Sequence, residues 1–595
     1  MDLIAHRNAH GNVLWPPAGD NLGALKTAGI LSKMLLADET ALRRHEAIGF
    51  PVLSAFLLAA ALPNELLPLG SPIFGVVALA PLLLAIYRSQ STGHAAAMGA
   101  LFGGVSTLLT SFWLLFFQSF SVWTLGGVTL AYVGFNALLA PFLRATSRVP
   151  VAYRPFAVAC TWALYEYLKS VGFLGYPWGL IAYPVHDILP LIQIVEITGV
   201  WGLSLLMAIV NAIVAEWLAV SGANAERRGW RRSTRELWRY PLVRSTALGT
   251  VLVAATLVFG WIALARPLER TATADLALIQ HNSNPWESGD LAGAVIILQR
   301  LTDNAIAAAP GTPDIVVWSE TALSRPIVGN ERYFSRVPEE RPLLPYLQRL
   351  KSHLLTGVPW VLKWEPLQTM NAAMLAGPGL TAPRHYGKQH PVPFAESVPF
   401  WELPFVRRFF TNVIGLHAVW QSGTEVTIFE VPLHAGGTLR FATPICFEDA
   451  FSALGRQFVN AGADAFINIT NDAWSHTVTA ETQHLVAAKL RAVENRRVLV
   501  RGTNGGVTTV IDPHGRTLAQ APLLQEAFLR VQVPIYRGLR TLYTQLGDVL
   551  PIPLAMVVLT SLIVTARQGR MKVRSARPRA AVSTALQTPV ADLTR

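Results

Sequence analysis

The sequence predicts an α-helical membrane bundle of about eight transmembrane helices joined to one extracytoplasmic α/β sandwich domain. Three observations lead there. Of the 595 residues, 52% are hydrophobic and only 14% charged, whereas about a quarter of a soluble protein's residues are charged. Eight apolar runs recur along the chain, most of them close to the ~20 residues that cross a bilayer. The one long polar stretch, residues 266–547, alternates strand-like and helix-like patterns, as an α/β sandwich requires.

Residues 1–48 are polar and mixed. They lack the basic start, short apolar core and small-residue cleavage site of a signal peptide, and read as a cytoplasmic extension. Region 49–265 is expected to hold seven spans, from apolar runs at 50–67, 71–87, 95–117, 122–143, 151–168, 200–219 and 245–265. Pro63 and Glu65 interrupt the first run, and Arg154 and Glu166 lie within the fifth. An eighth span is expected at 548–567, and the basic tail 568–595, rich in Arg, Ala, Ser and Thr, is predicted to be disordered.

Cations decide the orientation. With a cytoplasmic N-terminus, the inner loops collect Arg88, then Arg144 and Arg148, then seven arginines from Arg227 to Arg244, then Arg567, Arg570, Lys572 and Arg574. The opposite short loops carry almost none, so the positive-inside bias places 266–547 outside. The net charge of +12 therefore reads as topology, and no nucleic-acid partner is expected. The two cysteines, Cys160 in an apolar run and Cys446 in the polar region, exclude a disulfide framework and read as free thiols.

Within 266–547, strands are expected at Ala274–Gln280, Asp314–Trp318, Leu439–Cys446, Ala463–Ile469 and Arg497–Arg501, with helices at Gly293–Ala309 and Glu481–Asn495. Three segments could carry chemistry. Asp314-Ile-Val-Val-Trp-Ser-Glu320 delivers a carboxylate at the end of a buried-strand pattern, where α/β folds commonly keep reactive groups. Tyr386-Gly-Lys-Gln-His-Pro-Val-Pro-Phe-Ala-Glu396 sets Lys388, His390 and Glu396 in a Pro-rich loop, with His390 expected to pack the loop. An ammonium there could stabilise an oxyanion once water is excluded. Arg440-Phe-Ala-Thr-Pro-Ile-Cys446-Phe-Glu-Asp ends a strand in a thiol followed by two carboxylates. A lone thiol in an oxidising compartment is a liability unless it is used, and nucleophilic use needs a nearby base or cation.

These segments, in this order, with Asn468-Ile-Thr-Asn-Asp-Ala-Trp474 and Arg501-Gly-Thr-Asn-Gly-Gly-Val507 behind them, resemble the carbon-nitrogen hydrolase, or nitrilase, superfamily. With the apolar runs, and with Leu164-Tyr-Glu-Tyr-Leu-Lys, Gly175-Tyr-Pro-Trp178 and Thr198-Gly-Val-Trp-Gly-Leu-Ser204, the chain from about 50 to 566 resembles the apolipoprotein N-acyltransferase family. The resemblance implies a nitrilase-like αββα sandwich and the catalytic set Glu320, Lys388 and Cys446. Glu320 would be the general base, Cys446 the acyl carrier, and Lys388 the oxyanion stabiliser, with the backbone N–H after Cys446. Glu396 would orient Lys388, and Glu448 would support the loop. Trp286, Asn371, Phe447 and Trp474 fall where the family has substrate-pocket and loop residues.

The implied reaction is ping-pong acyl transfer. Cys446 takes an acyl chain from a phospholipid, the family's usual donor being phosphatidylethanolamine, and passes it to the α-amine of a diacylglyceryl-cysteine on an apolipoprotein. This implies a monomeric, multi-pass protein of the bacterial inner membrane, its catalytic domain facing the periplasm, with neither metal nor cofactor. Glu166 and Lys169 are expected as interface anchors. The chain departs from the family pattern at Phe447, where Tyr is common, at Trp474-Ser-His476 in place of Trp-Phe-Gly, and at Ala395-Glu-Ser397 in place of Gly-Glu-Tyr. Two other readings stay open: a membrane nitrilase-like amidase, hydrolase or acyltransferase with a different acceptor, and a non-enzymatic scaffold.

Overall fold

The computed structural model describes residues 44–117, 121–224, 241–283, 289–416 and 419–576. Trp286, most of the N-terminal extension and all of the tail beyond 576 lie outside them, as does the arginine group from Arg227 to Arg239.

The apolar runs fold into helices α1 (Arg44–Ala61), α2 (Ala80–Tyr87), α3 (Thr92–Thr110), α4 (Ser121–Thr146), α5 (Arg154–Lys169), α6 (Val200–Asn224) and α7 (Pro241–Ala265). Among the described residues four helical segments are long and apolar enough to cross a membrane: Ser121–Thr146, Val200–Val220, Pro241–Ala265 and Pro551–Gln568. Segment 71–87 is not the single helix expected of it. It breaks between a short turn at Pro72–Gly75 and α2. Asn211 of α6 satisfies the exposed backbone there, accepting Leu79 N–H at 2.8 Å and donating to Gly75 O at 2.9 Å, as a broken helix in an apolar setting demands. The first run also ends early, at Ala61, two residues before Pro63, whose ring cannot continue the hydrogen-bond ladder.

Small residues let α3 and α4 touch. A Cβ on Gly99 would lie 2.2 Å from Asn136 O, and one on Gly103 would lie 2.3 Å from Tyr132 O, the close backbone approach typical of apolar helix pairs. Glu166 and Lys169 are buried rather than anchored at an exposed interface. Glu166 Oε1 accepts Trp162 Nε1–H at 3.0 Å and Ile181 N–H at 2.8 Å. Lys169 Nζ donates to Trp178 O at 2.6 Å and to Tyr132 Oη at 3.2 Å. Paired with backbone in this way, both can sit inside an apolar bundle.

Among the described residues the polar stretch forms two six-stranded sheets. One has the order β12-β1-β2-β3-β4-β5 and the other β11-β10-β9-β8-β7-β6. The ranges are β1 Arg270–Gln280, β2 Ile315–Trp318, β3 His353–Lys363, β4 Gln368–Gly377, β5 Thr381–Gly387, β6 Phe429–Pro432, β7 Thr438–Ala442, β8 Ala465–Asn471, β9 Val498–Asn504, β10 Thr509–Ile511, β11 Thr517–Gln520 and β12 Ala527–Tyr536. Each sheet has a parallel centre, β1-β2-β3 and β7-β8-β9, with antiparallel margins. Period-two alternation explains the layers. Leu276, Leu278, Ile315 and Val317 face a core shared with Phe441, Ile467 and Val500 of the second sheet. Ala277, Ile279, Val316 and Trp318 point the other way, onto helix α8 (Leu291–Ala307) through Leu298 and Leu301.

Helix α9 (Val478–Asn495) covers the second sheet, and all but Val478 and Leu485 of its residues are buried. Ala488 and Ala492 join the sheet core. Val486, Leu490 and Val493 join a cluster that runs into the helical bundle through Ile192, Val195 and Trp201. A helix buried on all sides lies between two bodies, and α9 is that layer. Ion pairs tie it down: Arg496 Nε to Glu196 Oε2 at 2.7 Å, and Lys489 to Asp187. The last helix, α10 (Pro551–Ala576), follows the sandwich and packs on α5 through Leu554 and Val558 against Cys160 and Ala163.

Candidate active site

Strand β2 ends at Trp318, and Glu320 follows two residues later. Neighbouring β3 must pass very close: a Cβ on Gly357 would meet Thr321 N at 2.3 Å and Glu320 Cα at 2.6 Å. Glu320 is buried. Its Oε1 accepts from Asn371 Nδ2 at 2.8 Å and Lys388 Nζ at 3.1 Å, and its Oε2 accepts the Asn471 N–H at 3.1 Å.

Strand β5 ends at Gly387, placing Lys388 on the same end of the sheet. Its backbone N–H donates to Asn371 O of β4 at 2.8 Å. The ammonium is 1% exposed and lies between two carboxylates, 3.1 Å from Glu320 Oε1 and 2.8 Å from Glu396 Oε2. Glu396 Oε2 also accepts the Val392 N–H at 2.7 Å, and Asn371 Nδ2 donates to Glu396 Oε1 at 3.1 Å. Asn371 thus bridges the two carboxylates that flank the lysine.

Cys446 does not sit in a strand, contrary to the expected Leu439–Cys446. Strand β7 stops at Ala442, and Pro444, which has no N–H to give a ladder, intervenes. One isolated bridge, Ile445 to Ile469, continues toward β8. Cys446 then opens a 3₁₀ turn, Cys446–Ala450, with φ of 54°. Such a conformation in a non-glycine residue persists only where its surroundings over-determine it. One carboxamide does part of this, since Asn468 Nδ2 donates to both Pro444 O and Cys446 O at 3.1 Å. Glu448 does more, accepting Ile445 N–H at 2.8 Å, Gln389 N–H at 2.7 Å, His390 N–H at 3.0 Å and Tyr386 Oη–H at 3.1 Å. His390 packs the loop as expected, stacked on Phe451 with ring centroids 4.6 Å apart.

Electrostatics couple the three groups. Burial and the Glu320 charge hold the Cys446 thiol well above the usual thiol range, while Lys388 pulls the other way. Burial raises the Glu320 carboxyl, opposed by Lys388 and reinforced by Glu396. Burial disfavours the Lys388 charge, but Glu320, Glu396 and Cys446 together hold the ammonium well above its usual range. Two carboxylates around one ammonium leave spare basicity beside a thiol, which suits proton removal from sulfur.

Of the residues expected to line a pocket, Asn371 is within the carboxylate cluster. Phe447 is buried edge-on to Phe451, ring centroids 5.0 Å apart. Trp474 reaches the helical part, with its ring 5.8 Å from Trp113 and 5.0 Å from Phe117. A neighbouring group lies beside the Cys446 turn; its centre, His484, falls outside the motifs read from the sequence, whereas Asp449, Asn471, Asp472 and Arg501 fall within them. His484 of α9 contacts Asp449 and Asp472, Arg501 pairs with Asp449, and Asn471 Nδ2 donates to Thr321 Oγ1 at 3.0 Å. The available signal is the polar run Glu481-Thr-Gln-His484, which is buried along with nearly all of its helix.

Two family models match the chain, the apolipoprotein N-acyltransferase N-terminal domain over residues 54–213 and carbon-nitrogen hydrolase over residues 275–537. The chain is 34% identical over 522 residues to apolipoprotein N-acyltransferase 2 of Treponema denticola, covering 87% of this chain and 97% of that one. It is 35% identical over 547 residues to apolipoprotein N-acyltransferase 2 of Treponema pallidum, covering 88% and 95%. With the apolipoprotein N-acyltransferase of Borreliella burgdorferi it shares 29% identity over 502 residues, covering 83% and 91%. Matched along the helical part and the two-sheet domain alike, the chain belongs to the apolipoprotein N-acyltransferase family.

Proposed function

We propose that this chain transfers a fatty acyl chain from a phospholipid, through a thioester on Cys446, to the α-amine of an apolipoprotein's N-terminal diacylglyceryl-cysteine. One observation carries the reading: relatives named for this activity match the chain at 34–35% identity over 95–97% of their own length. The arrangement of Glu320, Lys388 and Glu396 about one buried ammonium supports it.

Glu320 removes the thiol proton of Cys446, and the sulfur attacks the sn-1 ester carbonyl. Lys388 and the backbone N–H after Cys446 stabilise the tetrahedral oxyanion. Collapse breaks the ester C–O bond, and Glu320 returns the proton to the leaving alkoxide, releasing a lysophospholipid. The acceptor amine then attacks the thioester, giving an amide and restoring the thiol, with Glu320 handling the amine proton. Glu396 orients Lys388, and Glu448 holds the turn. Trp286, Asn371, Phe447 and Trp474 are assigned to substrate contact.

Both substrates are lipids, so the site must open to a bilayer. We assign the protein to the bacterial inner membrane as a monomer with eight spans. Residues 1–48 and 568–595 are cytoplasmic, 49–265 and 548–567 membrane-embedded, and 266–547 periplasmic. Phosphatidylethanolamine is the proposed donor. The test incubates membranes with a phospholipid labelled in its sn-1 acyl chain and looks for a hydroxylamine-sensitive label on the chain, followed by conversion of a diacylated lipopeptide bearing a free amine. Label persisting in Cys446→Ala overturns the mechanism. Release of free fatty acid with the lipopeptide unconverted would favour a hydrolase.

A further inference from the structure

Behind the Cys446 turn lies a buried charge cluster that the acyl-transfer steps above do not use. Its centre is His484. Nε2 is 3.1 Å from Asp449 Oδ1, and Nδ1 is 3.0 Å from Asp472 Oδ2 and 3.2 Å from Asp472 Oδ1. Asp449 belongs to the 3₁₀ turn that Cys446 opens. Asp472 follows β8 and leads into Trp474.

We infer that His484 is a positioning residue for the acyl-transfer chemistry: as an imidazolium held between Asp449 and Asp472, it locks the Cys446 turn to the loop that carries Trp474.

Between two ionised carboxylates the geometry favours the charge. A neutral imidazole has one N–H, so a second carboxylate contact would set lone pair against lone pair. Both contacts attract only when both nitrogens carry hydrogen. The surrounding charges agree. Arg501 of β9 pairs with Asp449 and lies 3.7 Å from Asp472. Glu481, on the same helix as His484, accepts from Ser475 Oγ at 2.7 Å. Burial and then Asp472 hold its carboxyl well above the usual range, favouring its neutral form. Two carboxylates therefore face two cations, Arg501 and His484, and removing either cation leaves a buried charge unmatched. Burial opposes the imidazolium, but Asp472 and Asp449 outweigh it and raise His484 to about 9.

The group facing His484 from the helical part is uncharged. The ring of Trp178 lies 5.5 Å from the imidazole, and Trp178 Nε1 donates to Gln483 Oε1 at 2.7 Å. Gln483 Nε2 in turn donates to Pro63 O at 2.9 Å. Helix α9 is thus held by the bundle while His484 holds the turn.

Protonation of His484 links the clamp to pH. The folded value lies above the ~6.5 of a free histidine, so the clamp is complete below that pH and is lost as pH rises through about 9.

The inference rests on Cys446 as acyl carrier, and two readouts separate the ideas. The full chain in detergent micelles is given phosphatidylethanolamine labelled in its sn-1 chain, and the thioester burst is followed from pH 6 to pH 10. In parallel, iodoacetamide alkylation of Cys446, read from peptide mass, needs no lipid. Wild type is expected to lose burst rate through an alkaline limb centred near 9 while its thermal melt stays native. His484→Gln is expected to slow the burst about ten- to hundredfold at pH 7, with KM within about threefold, to flatten that limb, and to speed alkylation by loosening the turn. A His484→Gln protein with the wild-type rate and limb, or with the loss confined to KM, overturns the inference. Should His484→Gln fail to fold, Asp449→Asn serves: losing one carboxylate must move the wild-type limb to lower pH, and an unmoved limb is equally fatal. No burst in wild type, with alkylation still responsive to His484, would sink the acyl-carrier reading and leave the clamp standing.

Discussion

Glu448 Oε1 accepts the backbone N–H of Gln389 at 2.7 Å, so one buried carboxylate joins the turn of Cys446 to the loop of Lys388. The same side chain also receives the N–H groups of Ile445 and His390 and the hydroxyl of Tyr386. Only an acceptor with two charged oxygens satisfies four donors at once.

Glu448→Gln must therefore turn an amide N–H₂ toward at least one backbone N–H. Each buried group left unsatisfied costs about 1–3 kcal/mol. The variant is expected to unfold at lower denaturant than wild type and to form the thioester more slowly, because the turn and the lysine loop lose their register. Equal denaturation midpoints would contradict this.

Glu320→Gln and Lys388→Met are expected to act in opposite directions on the thiol while both stop transfer. Glu320 raises Cys446 and Lys388 lowers it. At pH 8, iodoacetamide should alkylate Cys446 faster in Glu320→Gln and more slowly in Lys388→Met than in wild type. Acyl transfer should fall by about 10²–10³ or more in each, the scale of losing an oxyanion donor or an essential base. Alkylation moving the same way in both would break the electrostatic account.

Gly357→Ala tests the close approach of β3 to β2. The added methyl would meet backbone atoms of Thr321 and Glu320, which cannot swing aside as a flexible side chain would. Displacing the carboxylate by about 1 Å costs on the order of a hundredfold in rate. The expected signature is a lower kcat in a protein that still binds lipid, measured by single-turnover thioester formation.

Asn468→Ala removes both carboxamide bonds to the strained turn, those to Pro444 O and Cys446 O. The expected result is a loss of about 1–3 kcal/mol of stability, with faster hydrogen exchange in the peptide spanning 444–450. Unchanged exchange there would mean that Glu448 holds the turn alone.

Much of this was legible in order along the chain. The run Asp314–Trp318 predicts a strand delivering Glu320 at its end, and the structure has that strand at Ile315–Trp318. The helices expected at Gly293–Ala309 and Glu481–Asn495 appear as Leu291–Ala307 and Val478–Asn495, displaced only at their ends, where caps rather than periodicity decide. Other readings failed for physical reasons. The apolar residues before Cys446 predict a strand that reaches it, but Pro444 and the Glu448 bonds turn the chain first. Hydropathy predicts one helix over 71–87 because it does not register a break whose backbone is satisfied by Asn211, more than 130 residues away. The sequence predicts Glu166 and Lys169 as interface anchors because two of their partners, Ile181 N–H and Trp178 O, are backbone groups with no signature in sequence.

Local sequence is enough to mark an apolar helical part and a polar α/β part and, through its ordered motifs, the family. Those properties rest on local composition and period, which act over a few residues. Only the tertiary structure decided that Glu320 and Lys388, 68 residues apart, meet at 3.1 Å, and that His484 stands behind the Cys446 turn. Such meetings depend on which strands pair and which helix fills the space between sheet and bundle, and those are long-range outcomes of packing that no local pattern encodes.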